Sequence, residues 1–406
     1  MTRTLFVTAL ASDSGKAEAV AGLMDLIKGS AKAPVLFRPV PRLETALELI
    51  NGGKGNELID SVLAAYKEAS AHADFVLCEG TDFAGRSAAF ENALNACVVA
   101  NMGAPVLLAL SGEGCSPAEV AATVTTFQCQ MKEQCVELLG VFLSGMSEED
   151  EKAVAAYFSF PVSSKAEAFA SILDACNGHI TPRLFEFGLI EQAQKHPMRI
   201  VLPEGEEDRL IKAAAILIQR KVADIILLGD EAKIRARAAE LAVSVDGATI
   251  INPVTAPDFE DFAETYAQLR AKKGVTIEQA REKMADNTYY GTMMIYKEKA
   301  DGMVSGAVNT TAHTIRPAFE FIKTKPGYSV VSSVFLMCLK DRVLVFGDCA
   351  VNPNPTSQQL AEIAVASADT AKVFGIDPRV AMLSYSTGTS GKGADVDVVV
   401  EATALA

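Results

Sequence analysis

The sequence predicts an α/β protein built on parallel sheets in two successive domains. Three observations carry this. Short apolar runs alternate with stretches of helical period along most of the chain, the pattern of a parallel sheet covered on both faces. The alternation stops at Asn177-Gly178-His179-Ile180-Thr181-Pro182, where Gly and Pro among polar neighbours mark a linker, and restarts at Arg199. The length of 406 residues, with 50% hydrophobic and 22% charged residues, supplies core for two to three domains at roughly 150 residues each.

Taken in order, Thr4–Ala9 reads as a buried strand, followed by a Ser/Asp/Gly turn and a helical period over Glu18–Lys28. Pro34–Phe37, Phe75–Cys78, Pro105–Leu110 and Leu138–Leu143 are apolar runs of strand length. Glu44–Ile50, Glu57–Ala71, Pro117–Gln134 and Glu148–Tyr157 have helical character between them. After the linker, strands are expected at Arg199–Leu202, Asp224–Leu228, Thr249–Ile251 and Asp301–Val304. Helices are expected at Glu207–Arg220, Glu231–Leu241, Phe259–Lys273 and Ile277–Ala285. Val330–Leu339 and Arg342–Phe346 form two β-runs joined at Lys340-Asp341. Ser357–Phe374 is a long helix capped by Ser357, and Arg379–Ser384 is a last strand entering the loop Tyr385–Gly393. Asp395–Ala406 reads as the opening turns of a helix, with acidic residues where the helix dipole favours them.

Composition excludes several function classes. The 37 Lys and Arg against 51 Asp and Glu leave a net charge of −14, which repels phosphate backbones, and no basic stripe offsets it, so nucleic acid is not an expected partner. Residues 183–406 hold 25 of those 37 basic residues and are the better place for an anion. No run reaches the ~18 apolar residues of a membrane span. The apolar stretch Leu5–Ala11 is at the lower limit for a signal peptide, so a first strand and a cytoplasmic protein are expected. The eight cysteines form no CxxC pair and read as reduced, buried thiols, among them Cys78 and Cys338 inside apolar runs. The four histidines are too scattered to ligate a metal, and none is expected.

Three loops carry chemical signals. Ala11–Ala17 stands where a nucleotide-binding loop would stand. It keeps Gly15-Lys16 of GxxxxGK[ST] but has Leu10 for the first glycine and Ala17 for the Mg²⁺-ligating hydroxyl, and Asp74 and Glu79 flank a strand like a degraded Walker B. A P-loop-like fold without nucleotide hydrolysis is expected. In VSGAVNTTAHTIRPA, a strand runs into Ser305-Gly306, then Asn309, Thr310 and Thr311, then Arg316. Small residues let backbone N–H groups approach a ligand, and arginine offers a fork suited to phosphate. A threonine-capped helix with a surface arginine is the plainer alternative. SYSTGTSGKG, after a further apolar strand, lies at a strand's carboxyl end, where open α/β sheets bind ligands.

The blocks LPEGEEDR, ADIILLGDEAKI, YAQLRAKKGVT, ADGMVSGAVNTTAHTIRPA and AMLSYSTGTSGKG, in this order, resemble the phosphate acetyltransferase (phosphotransacetylase) family over about residues 183–406. Residues 1–180 resemble the P-loop-like, dethiobiotin synthetase-like regulatory domain of the long bacterial form, without the DRTGG-type domain that lies between the two parts in many members. The resemblance implies an isocitrate/isopropylmalate dehydrogenase-like fold for the second domain. It implies reversible transfer of an acetyl group between coenzyme A and inorganic phosphate, with acetyl-CoA, phosphate and acetyl phosphate as substrates and no further cofactor. It implies Arg316 as the catalytic arginine at the phosphate and acetyl phosphate, and Arg270, Ser305, Gly306, Asn309, Thr310, Ser384, Tyr385, Ser386 and Thr387 as substrate-binding residues. It further implies a homo-oligomer and functional coupling to acetate kinase. The family's PVNDLSRG block and nearby aspartate would fall past Ala406, so the chain alone is expected to lack part of that site and to be inactive or nearly so. Phosphate butyryltransferase, a non-catalytic regulatory protein and a metal-dependent hydroxy-acid dehydrogenase remain as alternatives. The last lacks an Asp cluster for its metal.

Overall fold

The computed structural model describes residues 2–82 and 88–406 and divides into two compact units. One comprises residues up to Phe187 together with Phe335–Phe346, the other Gly188–Val334 together with Gly347–Ala406.

The first unit is a six-stranded sheet whose resolved pairings are all parallel, formed by β1 (Arg3–Ala9), β2 (Pro34–Phe37), β3 (Phe75–Glu79), β4 (Val106–Ser111), β5 (Leu138–Ser144) and β6 (Val162–Ser163) in the order β2-β3-β1-β4-β5-β6. The central strands are apolar on both faces because both faces are covered. Phe6, Val76, Leu108 and Val141 enter one core, Leu5, Val7, Leu77 and Leu107 the other. The helices Lys16–Ser30, Leu43–Asn51, Gly55–Ser70, Ala88–Met102, Pro117–Glu133 and Glu148–Ala155 alternate with these strands. The segment read as a linker is stitched to this unit. Asn177 bridges Arg3, His179 N–H donates to the Gly103 carbonyl at 3.0 Å, and the buried Thr181 hydroxyl donates to the Asn101 carbonyl at 2.7 Å. Gly103 adopts φ 66°, and a Cβ there would stand 2.2 Å from the His179 carbonyl oxygen, so only glycine permits this approach.

The second unit contains a parallel four-stranded sheet of β7 (Arg199–Leu202), β8 (Asp224–Leu228), β9 (Thr249–Ile251) and β10 (Gly302–Met303), ordered β10-β7-β8-β9. Val201, Ile226 and Leu228 pack with Phe262, Tyr289 and Met293 on one face. Leu202, Ile225 and Leu227 pack with Ile211 and Ile234 on the other. Pairing of Ile200 with Gly302 and Val201 with Met303 places the carboxyl ends of β7 and β10 side by side, though they are about a hundred residues apart in sequence. β11 (Val334–Cys338) and β12 (Val343–Gly347), nearly all of whose residues group with the first unit, pair as a separate two-stranded sheet.

Several sequence expectations change. A helix the pattern did not reveal spans Asn287–Tyr296. Every residue from Thr288 to Met294 is buried, so no amphipathic period exists to be read. The long helix Ser357–Val373 is capped by Thr356, whose side chain accepts from Gln359 N–H in a reciprocal box. Ser357 is its first helical residue and donates to Glu401 on the final helix Ala394–Leu405. Arg379–Ser384 is not a strand. Among the described residues no neighbouring strand offers it a ladder, and Val380 and Leu383 remain 56% and 85% exposed. Cys78 and Cys176 are buried as expected, but Cys97, Cys115, Cys129 and Cys338 are exposed and Cys135 and Cys349 half-buried, because they lie on helix surfaces, in loops or on the small sheet's edge. All eight thiols are free.

Two predictions follow from these contacts. Thr356→Ala should lower stability by about 1 kcal/mol, the usual cost of losing a side-chain cap, in urea unfolding; an unchanged midpoint would mean the cap carries no load. Asp301 accepts from both the guanidinium and the backbone N–H of Arg199, and these bonds hold its carboxyl at about 2, against an ordinary 3.8. A depressed folded value stabilises the protein above the unfolded value and loses that contribution as pH falls between the two. Unfolding midpoints should therefore decline from pH ~4 toward ~2, and Asp301→Asn should flatten that limb.

Candidate functional site

A cavity of about 590 Å³ opens at the carboxyl end of β7, lined by Pro203–Glu207, Asp286–Thr288, Val308 and Asn309 among others. Its architecture rests on Glu204. The loop leaving β10 turns so that the backbone N–H groups of Gly306, Ala307, Val308 and Asn309 all donate to the Glu204 carboxylate, at 3.0, 2.9, 2.6 and 2.6 Å. Gly306 takes φ 118°, which a side chain would resist. Partial burial works to raise the Glu204 carboxyl, but the four donors outweigh it and hold it below the usual carboxylate range. The Ala307 carbonyl accepts from Arg209 at 2.6 Å, and Arg209 also pairs with Glu207. The loop was expected to offer these N–H groups to a ligand. Instead the protein's own carboxylate takes them.

From this turn a polar web spreads. The Asn309 side-chain amide donates to the Thr288 hydroxyl at 3.0 Å and the Ser305 hydroxyl at 3.3 Å, and Thr314 reaches Ser305 at 3.3 Å. Thr310 caps the short helix Thr311–Pro317 by accepting from His313 N–H at 3.2 Å. Asp286 caps the helix Asn287–Tyr296 through Thr288 and Tyr289 N–H and meets His313 Nε2 at 3.0 Å. Thr310 is thus the helix cap and the exposed Arg316 the surface arginine of the plainer alternative, while Ser305, Gly306 and Asn309 lie between β10 and that helix.

Arg316, exposed, and Arg270, half-buried, each lie near one ring of an aromatic pair. The rings of Tyr266 and Tyr289 meet edge-on at 6.0 Å. Arg270 lies close enough to Tyr266, and Arg316 to Tyr289, for each positive charge to act on the neighbouring phenol. Glu320 accepts from the Tyr266 hydroxyl at 2.7 Å. Burial first, then Glu320, pushes the Tyr289 phenol up to about 12; Arg316 opposes this. Among the described residues neither arginine forms an ion pair. Arg270 Nε is buried without a hydrogen-bond partner, and the buried Tyr289 hydroxyl has the Glu320 carboxylate nearby, outside normal hydrogen-bond geometry. A guanidinium with a buried, unpartnered Nε and a second guanidinium without an ion pair are groups suited to an anion.

Ser384, Tyr385, Ser386 and Thr387 lie in an exposed loop whose resolved hydrogen bonds are internal. The Tyr385 hydroxyl donates to the Lys392 carbonyl, Ser386 Oγ to Gly388, and Gly391 N–H to Ser386 Oγ. None runs to the Ser305–Arg316 set. The residues that sequence reasoning passed over are Glu204, Asp286, Thr288, His313 and Tyr289. The acidic residue just after a strand in Pro203-Glu204-Gly205 and the Asp286-Asn287-Thr288 capping pattern were the available signals.

In the first unit the P-loop-like turn is closed on itself. Gly15, at φ 74°, starts the helix Lys16–Ser30. The buried Lys16 ammonium donates to the Gly80 carbonyl at 2.7 Å, the Thr81 carbonyl at 2.9 Å and Asp82 at 2.8 Å. Its three donors are spent within the chain. Glu79, buried, pairs with Arg38 at 2.8 Å.

The model of the phosphate acetyl/butaryl transferase family matches residues 184–406, and that of an AAA domain matches residues 49–167. The phosphate acetyltransferase of Nitratidesulfovibrio vulgaris is 36% identical, with 100% of this chain and 85% of that protein covered. That of Corynebacterium glutamicum is 56% identical over 56% of this chain and 69% of its own. A phosphotransacetylase from Streptococcus pyogenes superposes with a TM-score of 0.53 at 44% identity, covering 55% of this chain and 69% of that one. The blocks running from Leu202 to Gly393, the parallel sheet that aligns β7 with β10, and these relatives agree: the chain belongs to the phosphate acetyl/butaryl transferase family.

Proposed function

We propose that the paired arginines beside Tyr266 and Tyr289 form the anion site of an acyltransferase that moves an acetyl group reversibly between coenzyme A and inorganic phosphate. The family membership and the relatives' names support the reaction. The observation that carries the site is that Arg270 and Arg316, without ion-pair partners among the described residues, each lie near one ring of the Tyr266–Tyr289 pair, and that Arg270 Nε is buried without a partner. In this reading Arg316 binds the phosphate or acetyl phosphate oxygens through its fork and stabilises charge that builds on them during transfer. Arg270 holds the same anion from the facing helix end. Ser305, Gly306, Asn309 and Thr310 shape the wall, and the Ser384–Thr387 loop supplies substrate contacts. Coenzyme A enters as a substrate. The relatives are named for acetyl transfer, which favours acetyl over butyryl.

Residues 1–180 act as a regulatory P-loop-like domain and 183–406 as the catalytic domain in this proposal. A cytoplasmic homo-oligomer working with acetate kinase completes it. Among the described residues no helix is long and apolar enough to cross a membrane.

In a full-length version that turns over, Arg316→Ala should reduce acetyl-CoA:phosphate exchange at least a hundredfold, since losing such an electrostatic contact costs about 3–4 kcal/mol. Arg316→Lys should recover little, because an ammonium cannot reproduce the fork. Exchange close to wild type in the alanine variant would sink the site. Butyryl-CoA assayed beside acetyl-CoA should turn over more slowly. The first unit should show no Mg²⁺-dependent ATP hydrolysis in the whole chain, because Ala17 lacks the metal-ligating hydroxyl and Lys16 is engaged internally; phosphate release from ATP above background would overturn this.

A further inference from the structure

We infer that Glu204 is a positioning residue for the anion site: its carboxylate sets the turn Gly306–Asn309, and through it the approach of the helix that carries Arg316. The inference rests on the proposed function, because it takes the Arg270–Arg316 region as the site being positioned.

Four amide donors within 3.0 Å of one carboxylate are more than an ordinary loop contact. Consecutive N–H groups turned to one point form a concave nest that attracts an anion. Left empty, this nest would compete for the substrate phosphate. Filled by Glu204, it is neutralised and locked. The consequences run outward along named bonds. With the Asn309 backbone fixed, its side-chain amide reaches Thr288 and Ser305, which ties the turn to the helix Asn287–Tyr296. Thr310, the next residue, caps the helix Thr311–Pro317, and Arg316 lies on that helix. Tyr289, whose phenol feels the Arg316 charge, lies on the helix that receives the Asn309 bond. A single carboxylate therefore registers the two helices that carry Arg316 and Tyr289 of the proposed anion site. Glu204 touches no reacting atom in this account.

Glutamine has the shape of Glu204 but one acceptor oxygen in place of two, and its amide group opposes two of the four N–H donors. In Glu204→Gln, backbone amides of Gly306–Asn309 should exchange with solvent hydrogen at least tenfold faster. Those of β7 and of the Asn287–Tyr296 helix should be unchanged. Acetyl phosphate, titrated calorimetrically into the whole chain, should bind the variant at least tenfold more weakly than wild type, as it should Arg316→Ala. Wild-type affinity in Glu204→Gln beside weakened binding in Arg316→Ala would overturn the positioning role alone. So would exchange accelerated throughout the second unit, which marks general loss of stability. Wild-type affinity in Arg316→Ala, or no binding by the wild-type chain, would sink the site reading beneath it. Should Glu204→Gln fail to fold, Glu204→Asp keeps the charge but withdraws it by one methylene. It should bind acetyl phosphate with intermediate affinity, and wild-type affinity there would also overturn the inference.

Discussion

The site depends on one charge held between two distant loops. Parallel pairing of β7 and β10 brings Pro203–Glu207 and Val304–Asn309 side by side, and the Glu204 carboxylate closes the gap with four backbone bonds. A carboxylate so surrounded is cheap to keep ionised, since the donors replace the water it lost. The loop in turn has its polar backbone satisfied without further secondary structure. The wall of the site and the start of the Arg316 helix both follow from that bond set.

The two units treat the carboxyl ends of their strands in opposite senses. In the first, a buried ammonium is fed by carbonyl oxygens and an aspartate after β3, so Lys16 is spent internally. In the second, a carboxylate is fed by N–H groups after β10. The first arrangement consumes the cation that a P-loop would present to a phosphate. The second consumes the backbone donors but leaves two guanidiniums without ion-pair partners among the described residues. In the proposed site, anion recognition rests on arginine side chains, which can provide planar, two-point contacts, and not on a backbone nest. It is also why the basic residues concentrated in residues 183–406 matter more than the net charge of −14.

Apolar strand runs and helix periods were legible because they are local. Pro34–Phe37, Asp224–Leu228 and Thr249–Ile251 stand where the alternation places them. Local pattern failed where burial was uniform or a partner was missing. The helix Asn287–Tyr296 is packed on all sides, and Gly291 lets it approach the sheet, where a Cβ would lie 3.0 Å from Met303 and Val201 side-chain atoms. The apolar run before Ser384 has the composition of a strand and no ladder to join.

Residue identity alone determined the α/β class, the loss of the P-loop hydroxyl at Ala17, and the arginine and small-residue blocks that mark the family. Tertiary structure decided what those groups face. Nothing near Gly306 in sequence says that its N–H meets Glu204, and nothing near Tyr266 says that its ring meets that of Tyr289 edge-on. Periodicity is set by neighbours a few residues away, whereas these contacts depend on which strands lie side by side, and that is settled only when the whole sheet forms.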